Sequence, residues 1–398
     1  MIYPRQIYKQ LEEQLETPQA TVITGMRRVG KSTALKHLFD LVSSPNKAIF
    51  DFEDPSIRRI FDIKDYSSIW NLLAPYGITK DSRAYLFIDE IQNLPMISSL
   101  AKYLHDHHQT KFFMTGSSSY YLKNLFPQSM AGRKLVFEMF PLTFSEFIIF
   151  NSHRLDINLS KRHHNFLQLA RDRSFVVDSK LASLYEEYLR FGGFPRVVLE
   201  ANYEQKDQIL KETYKSYFEV DVKSLADFKD LSLLNQLVHL LIPRIGSKLD
   251  ITKLASEVGT SRETIGNYLT FLESTYLITR LPRFSGSIDV ELKGSKKLYF
   301  GDVGLARSLG NISDGQALEQ SVFQNLRSNH ELAYYNTKSS DEIDFVVDRK
   351  IALEVKKHAI PRDLANLRKR MESAGLIEGY LITKDFQELA STICASDL

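Results

Sequence analysis

The stretch Thr21–Val42, TVITGMRRVGKSTALKHLFDLV, limits the fold of this chain more than any other. It sets Gly25-x-x-x-x-Gly30-Lys31-Ser32 directly after a short apolar run. Directly after it, Ala34, Leu35, Leu38, Leu41 and Val42 recur at helical spacing. A glycine-rich turn between strand and helix lets backbone N–H groups curl around phosphate oxygens, and the helix N-terminus adds partial positive charge. Gly25, Arg28, Val29, Gly30, Lys31, Ser32 and Thr33 are therefore the candidate ATP-binding residues. Lys31 is expected to reach the β- and γ-phosphates and the Ser32 hydroxyl to ligate Mg²⁺.

The surrounding pattern suits such a loop. Strand-like runs TVITG, KAIFDFED, AYLFIDE and KFFMTGSS alternate with helical segments. That alternation predicts a mainly parallel sheet with helices on both faces, an α/β fold. AYLFIDEIQ ends in Asp89-Glu90, as a buried central strand would. Asp89 fits the acid that holds Mg²⁺ beside the loop, and Glu90 fits a base that polarises the attacking water. The fourth run ends in Ser117 and Ser118, either of which would sense or position that water, or else form a plain turn. Phosphoryl transfer often draws on an arginine. Arg133 in MAGRKLVFEM is the candidate finger, acting within the chain or across a subunit interface, although most surface arginines are simply solvated.

At 398 residues the chain exceeds one compact core. Pattern changes predict an ATPase domain over 1–150, a helical lid or linker over 151–230, and two smaller domains over 231–300 and 301–398. No apolar stretch approaches a bilayer's thickness, and MIYPRQIYKQ lacks the apolar core of a signal peptide. A single cysteine, Cys394, fits a reducing cytoplasm, and a net charge of +2 requires any nucleic-acid footprint to be local.

DITKLASEVGTSRETIGNYLTFLESTYLI predicts helix, turn at Gly259 and second helix, with Thr260 and Glu263 at capping-box spacing. Ile265, Leu269, Leu272 and Tyr276 mark its core face; Arg262, Asn267 and Thr270 face outward. The following RLPRFSGSIDVELKGSKKLYF has the alternation and basic tip of a wing, with Lys293, Lys296 and Lys297 as phosphate contacts. Interdomain packing is the alternative use of such a module.

The C-terminal segment orders helix, three strands, helix, strand. EIDFVV carries Asp344, and IALEVK carries Glu354 and Lys356, which share one face of their strand. Asp344 and Glu354 are candidate ligands of a second Mg²⁺, with Glu319 as a further acid, and Lys356 would orient a nucleophilic water. The other reading is a binding fold whose carboxylates pair with lysine and do not cut.

GMRRVGKST, YLFIDEIQ, FMTGSSS, MAGRKLVFEMFPLTFSEF, YLRFGGFPRVV, KLYFGDVGLA and EIDFVV…ALEVK occur in that order. By these motifs the chain resembles the bacterial and archaeal AAA-like P-loop ATPases that carry a winged helix and a C-terminal restriction-endonuclease-like, PD-(D/E)XK, domain. The resemblance implies Mg²⁺-dependent ATP hydrolysis and DNA as a partner. Relatives commonly carry arginine where Val220 and Asn336 stand here. The leading expectation is an ATPase that moves or remodels DNA, as a homo-oligomer that extends to a hexameric ring. A nucleotide-dependent regulatory switch and a protein-remodelling ATPase are the alternatives.

Overall fold

The computed structural model describes residues 2–118, 132–151, 166–171, 175–222, 231–337 and 342–398. It forms two compact units, Met1–Phe140 with Ser274–Tyr276, and Pro141–Glu273 with Leu277–Leu398. The breaks expected near Asn151 and Gly301 fall inside the second unit. The break expected near Asp230 lies outside the described residues.

The first unit is built on β1 (Ala20–Thr24), β2 (Lys47–Asp51), β3 (Tyr85–Asp89), β4 (Lys111–Gly116) and β5 (Lys134–Glu138). Their order is β2-β3-β4-β1-β5, and every pairing is parallel. β1 and β4 are buried throughout, as strands covered on both faces must be. β5 was not marked by sequence pattern: it is an edge strand whose Leu135 and Val136 are exposed between Lys134 and Glu138. The helix Lys31–Leu41 buries Ala34, Leu35 and Leu38. Leu41, expected on that face, is exposed, and Val42 ends the helix. Parallel pairing brings Thr24, Asp89 and Gly116 to one edge of the sheet, where a ligand site belongs.

In the second unit the helices Leu231–Leu241, Ile251–Val258 and Arg262–Ser274 precede an antiparallel pair, β6 (Ile278–Leu281) and β7 (Lys297–Phe300). Gly259 closes its helix at φ 73°, as the turn requires. The cap of the next helix is Ser261, whose Oγ accepts the Thr264 N–H at 3.0 Å. The box expected at Thr260 and Glu263 is displaced because the helix begins at Arg262. Between β6 and β7 runs the helix Ile288–Lys293. After the helix Asp314–Leu326 come β8 (Leu332–Asn336), β9 (Glu342–Val347) and β10 (Ile351–Lys356). The helix Pro361–Ala374, β11 (Glu378–Thr383) and β12 (Thr392–Cys394) complete the sheet β12-β11-β10-β9-β8. Among the described residues no helix is long and apolar enough to cross a membrane.

One buried carboxylate ties distant parts of this unit together. Asp302 accepts N–H groups from Gly193 at 2.7 Å and Leu305 at 2.8 Å, and the Gln324 amide at 3.0 Å. Burial raises its carboxyl above the usual range. Gly193 O accepts the Leu142 N–H at 2.7 Å, while Leu142 O accepts Tyr188 Oη–H at 2.9 Å. The backbones approach too closely for side chains: a Cβ at Gly193 would lie 2.2 Å from Leu142 O, and one at Gly304 2.0 Å from Phe191 C. RFGGFP and GDVGLA, read separately in the sequence, interlock here. We expect Gly193→Ala and Gly304→Ala each to destabilise the protein by about 3 kcal/mol or more, because backbone cannot yield as a flexible side chain can. Denaturant unfolding checks this, and a wild-type midpoint for either variant contradicts the packing.

Candidate active site

The phosphate loop leaves β1 at Thr24 and enters its helix at Lys31. Gly25 adopts φ 147°, and a Cβ there would meet Met139 O at 2.0 Å. Glycine is required by both facts. Lys31 is buried, and its Nζ donates to Gly25 O at 3.0 Å and Met26 O at 3.1 Å, which holds the ammonium inside the loop. Ser32 and Thr33 are exposed at the helix N-terminus, Val29 is buried, and Arg28 takes φ 66°.

Across the sheet edge, Asp89 ends β3 and accepts the Thr115 hydroxyl of β4, while Thr115 Oγ1 accepts the Glu90 N–H at 3.0 Å. Glu90 itself sits at φ 54°, ψ 52°, a left-handed conformation uncommon for a residue with a Cβ. This kink ends β3 and starts the short helix Ile91–Asn93. It brings Gln92 back so that its Nε2 donates to Glu90 Oε2 and, at 3.0 Å, to Ser117 Oγ. Gln92 Oε1 is buried without a hydrogen-bond partner in the described structure. Asp89, Glu90 and Ser117 thus share one edge and one hydrogen-bond chain. Ser118 is fully buried.

Three contributors escaped sequence reasoning. Thr115 and Gln92 lie within motifs already singled out, but their hydrogen-bond partners depend on the Glu90 kink. Arg5 had no local signal at all. Its guanidinium donates to Val29 O at 3.0 Å and Phe140 O at 2.8 Å, clamping the loop to the chain after β5.

Arg133 requires a correction. It precedes β5, and its carbonyl accepts the Ala20 N–H at 2.8 Å where β1 begins. The loop leaves the other end of β1, roughly 13 Å away at strand rise. Arg133 Nε pairs with Asp106 at 2.8 Å. The parallel sheet therefore does not bring Arg133 to the phosphate loop of its own chain.

Lys297 also departs from expectation. It is not a wing-tip contact: it is 1% exposed, and its Nζ lies 3.2 Å from Glu319 Oε1, 2.6 Å from Glu342 Oε1 and 3.2 Å from Asp344 Oδ1. Burial would lower this ammonium, but Asp344, Glu319 and Glu342 together hold it above its ordinary value. Burial, reinforced by the Asp344 charge, pushes Glu319 up to about 7. Lys293 is exposed and Lys296 half-buried. On the preceding helix Arg262, Asn267 and Thr270 are exposed, while Ile265, Leu269 and Leu272 are buried, as their spacing predicted.

A β-bulge lies opposite Tyr334 at Asp344. Ala333 pairs with Val346 and Tyr335 with Ile343, so Tyr334 alone opposes Asp344 and Phe345. Asp344 meets Lys297, and Phe345 packs against Tyr299. Glu354 and Lys356 do share a face and pair at 2.8 Å, with Arg370 taking the other Glu354 oxygen at 2.6 Å. The structure thus joins Asp344 to Glu319 through Lys297, and Glu354 to Lys356 and Arg370.

Residues 17–148 match a family model described as an AAA domain. Residues 182–316 and 314–393 match two models described as domains of unknown function, DUF8612 and DUF4143. An uncharacterized protein of Methanocaldococcus jannaschii is 29% identical over 351 residues, covering 86% of this chain and 75% of that protein. One of Haemophilus influenzae is 28% identical over 359 residues, covering 87% and 84%. Among solved structures, the Walker-type ATPase of Pyrococcus abyssi superposes with a TM-score of 0.48 at 12% identity, over 78% of this chain and 96% of that one. The five parallel strands and their loop lie within the family match, so residues 17–148 form an AAA-type P-loop domain.

Proposed function

We propose that this protein is a Mg²⁺-dependent ATPase whose C-terminal half engages DNA. The observation that carries the ATPase reading is the hydrogen-bonded set Asp89–Thr115–Glu90 and Gln92–Ser117 beside Lys31, all at the C-terminal edge of β1, β3 and β4. The donors fit nucleotide and metal. Lys31, which donates to the Gly25 and Met26 carbonyls, would hold the β- and γ-phosphates, and Arg28, Val29, Gly30 and Thr33 would present the loop backbone. Ser32 and Asp89 would hold Mg²⁺, which would supply charge neutralisation. Glu90 accepts a proton from the attacking water, and Gln92 Oε1 with Ser117 Oγ orients that water. Because Arg133 stands at the far edge, it would meet a γ-phosphate from another subunit, which favours a homo-oligomer, up to a hexameric ring.

We read residues 231–300 as a winged helix and the sheet β8–β12 with its helices as restriction-endonuclease-like, both used for binding. The surface that supports a DNA partner is local. Residues 349–370 hold eight Lys or Arg against two Asp or Glu. Arg349, Lys356, Lys357 and Arg370 pair with acids, whereas Arg362, Arg368 and Lys369 are exposed on one helix. Arg362 and Lys369 are two helical turns apart, about 10 Å, a spacing that suits backbone phosphates.

Two measurements test this reading. Lys31→Ala should abolish ATP turnover, whereas Glu90→Gln should retain ATP binding and slow hydrolysis by about 100-fold or more. Near-normal steady-state rates for both would end it. For DNA, replacing Arg362, Arg368 and Lys369 with Ala should weaken duplex binding and flatten the log K against log salt slope by about three. Wild-type binding that is absent or insensitive to salt, with ATP turnover unchanged by duplex, would favour the switch or the protein-remodelling alternative.

A further inference from the structure

The carboxylates that a restriction-endonuclease-like site would give to a metal already have cations of their own. Lys297 Nζ sits among Glu319 Oε1, Glu342 Oε1 and Asp344 Oδ1 at 3.2, 2.6 and 3.2 Å. Further contacts hold these carboxylates. Tyr299 Oη–H donates to Glu319 Oε1 at 2.7 Å, the Val355 N–H to Asp344 Oδ2 at 2.9 Å, and Lys248 Nζ lies 3.4 Å from Glu342 Oε2. Both oxygens of Glu354 are held by Lys356 and Arg370. Among the described residues no group of three or more His, Cys, Asp or Glu is arranged to hold a metal ion. A divalent cation placed beside Asp344 would face a buried ammonium at close range, and hard cations require oxygens free to turn toward them.

We propose that Lys297 is a built-in counter-ion occupying the cation position of this cluster, so that the C-terminal sheet holds no divalent metal and is locked to β7 instead. The lock is physical: Lys297 and Tyr299 belong to β7, whereas Glu319 lies on the helix Asp314–Leu326 and Glu342 and Asp344 on β9. Removing the ammonium would leave three carboxylates facing one another in a buried space. That arrangement is relieved by protonation or by a cation from solvent.

The test is Mn²⁺ binding by the full chain without nucleotide, read by electron paramagnetic resonance up to about 1 mM, the weak end of carboxylate sites. Wild type should show no Mn²⁺ signal that depends on Asp344. Lys297→Ala should gain a bound Mn²⁺, and Lys297→Ala with Asp344→Asn should lose it again. Lys297→Met keeps the aliphatic stem and serves if the alanine variant does not fold. A wild-type Mn²⁺ signal abolished by Asp344→Asn would overturn the proposal. So would folded Lys297 variants that bind no more Mn²⁺ than wild type. Neither result bears on ATP turnover, which the Lys31 and Glu90 variants test separately.

Discussion

A backbone-to-backbone contact at the end of β1 organises the first unit. The Met139 N–H donates to Thr24 O at 2.7 Å, and Gly25 turns past Met139 O where no side chain would fit. That contact sets where the phosphate loop begins, and Arg5 fastens the loop's far side through Val29 O and Phe140 O. Once the loop is placed, parallel pairing places the acids. Asp89 and Thr115 reach the same edge because β3 and β4 run in the same direction as β1. Preorganised donors and acceptors of this kind stabilise developing charge without reorganising during reaction.

The second unit depends on a different device. Asp302 is buried, and its hydrogen bonds to Gly193 and Gln324 join its own turn, where it also caps Leu305, to stretches 109 and 22 residues away. A buried carboxylate is tolerated when its oxygens are fully engaged, and it then fixes one arrangement because alternatives leave it unpaired. Lys206 and Glu187, both buried and 3.2 Å apart, add a second such pair among the helices. Segments whose composition suggested separate modules are thus held as one compact body.

The carboxylate cluster shows how a neighbouring buried ammonium changes chemistry. β9 pairs with β10 at Val346–Ala352 and Phe345–Leu353, so Asp344 comes next in register to Glu354, and its Oδ2 accepts the Val355 N–H at 2.9 Å. Its other oxygen meets Lys297 at 3.2 Å, so the acid that lies across from Glu354 is already paired with an ammonium. A three-residue motif can therefore be present in sequence while its members serve different partners.

What the sequence by itself determined was local: the phosphate loop between strand and helix, Asp89-Glu90 at a strand end, the turn at Gly259, the outward set Arg262, Asn267 and Thr270, and the order of elements around β8–β11. Those features follow from period, turn chemistry and capping, which act over a few residues. Only the tertiary structure decided that Arg133 stands at the wrong end of the sheet and that Arg5 clamps the loop. It likewise decided that Gln92 folds back on Glu90, and that Lys297 lies buried among acids from β9 and a neighbouring helix. Each of these depends on strand order or register. Such long-range pairings are set by burial and charge satisfaction across the whole fold, and no short spacing in the chain records them.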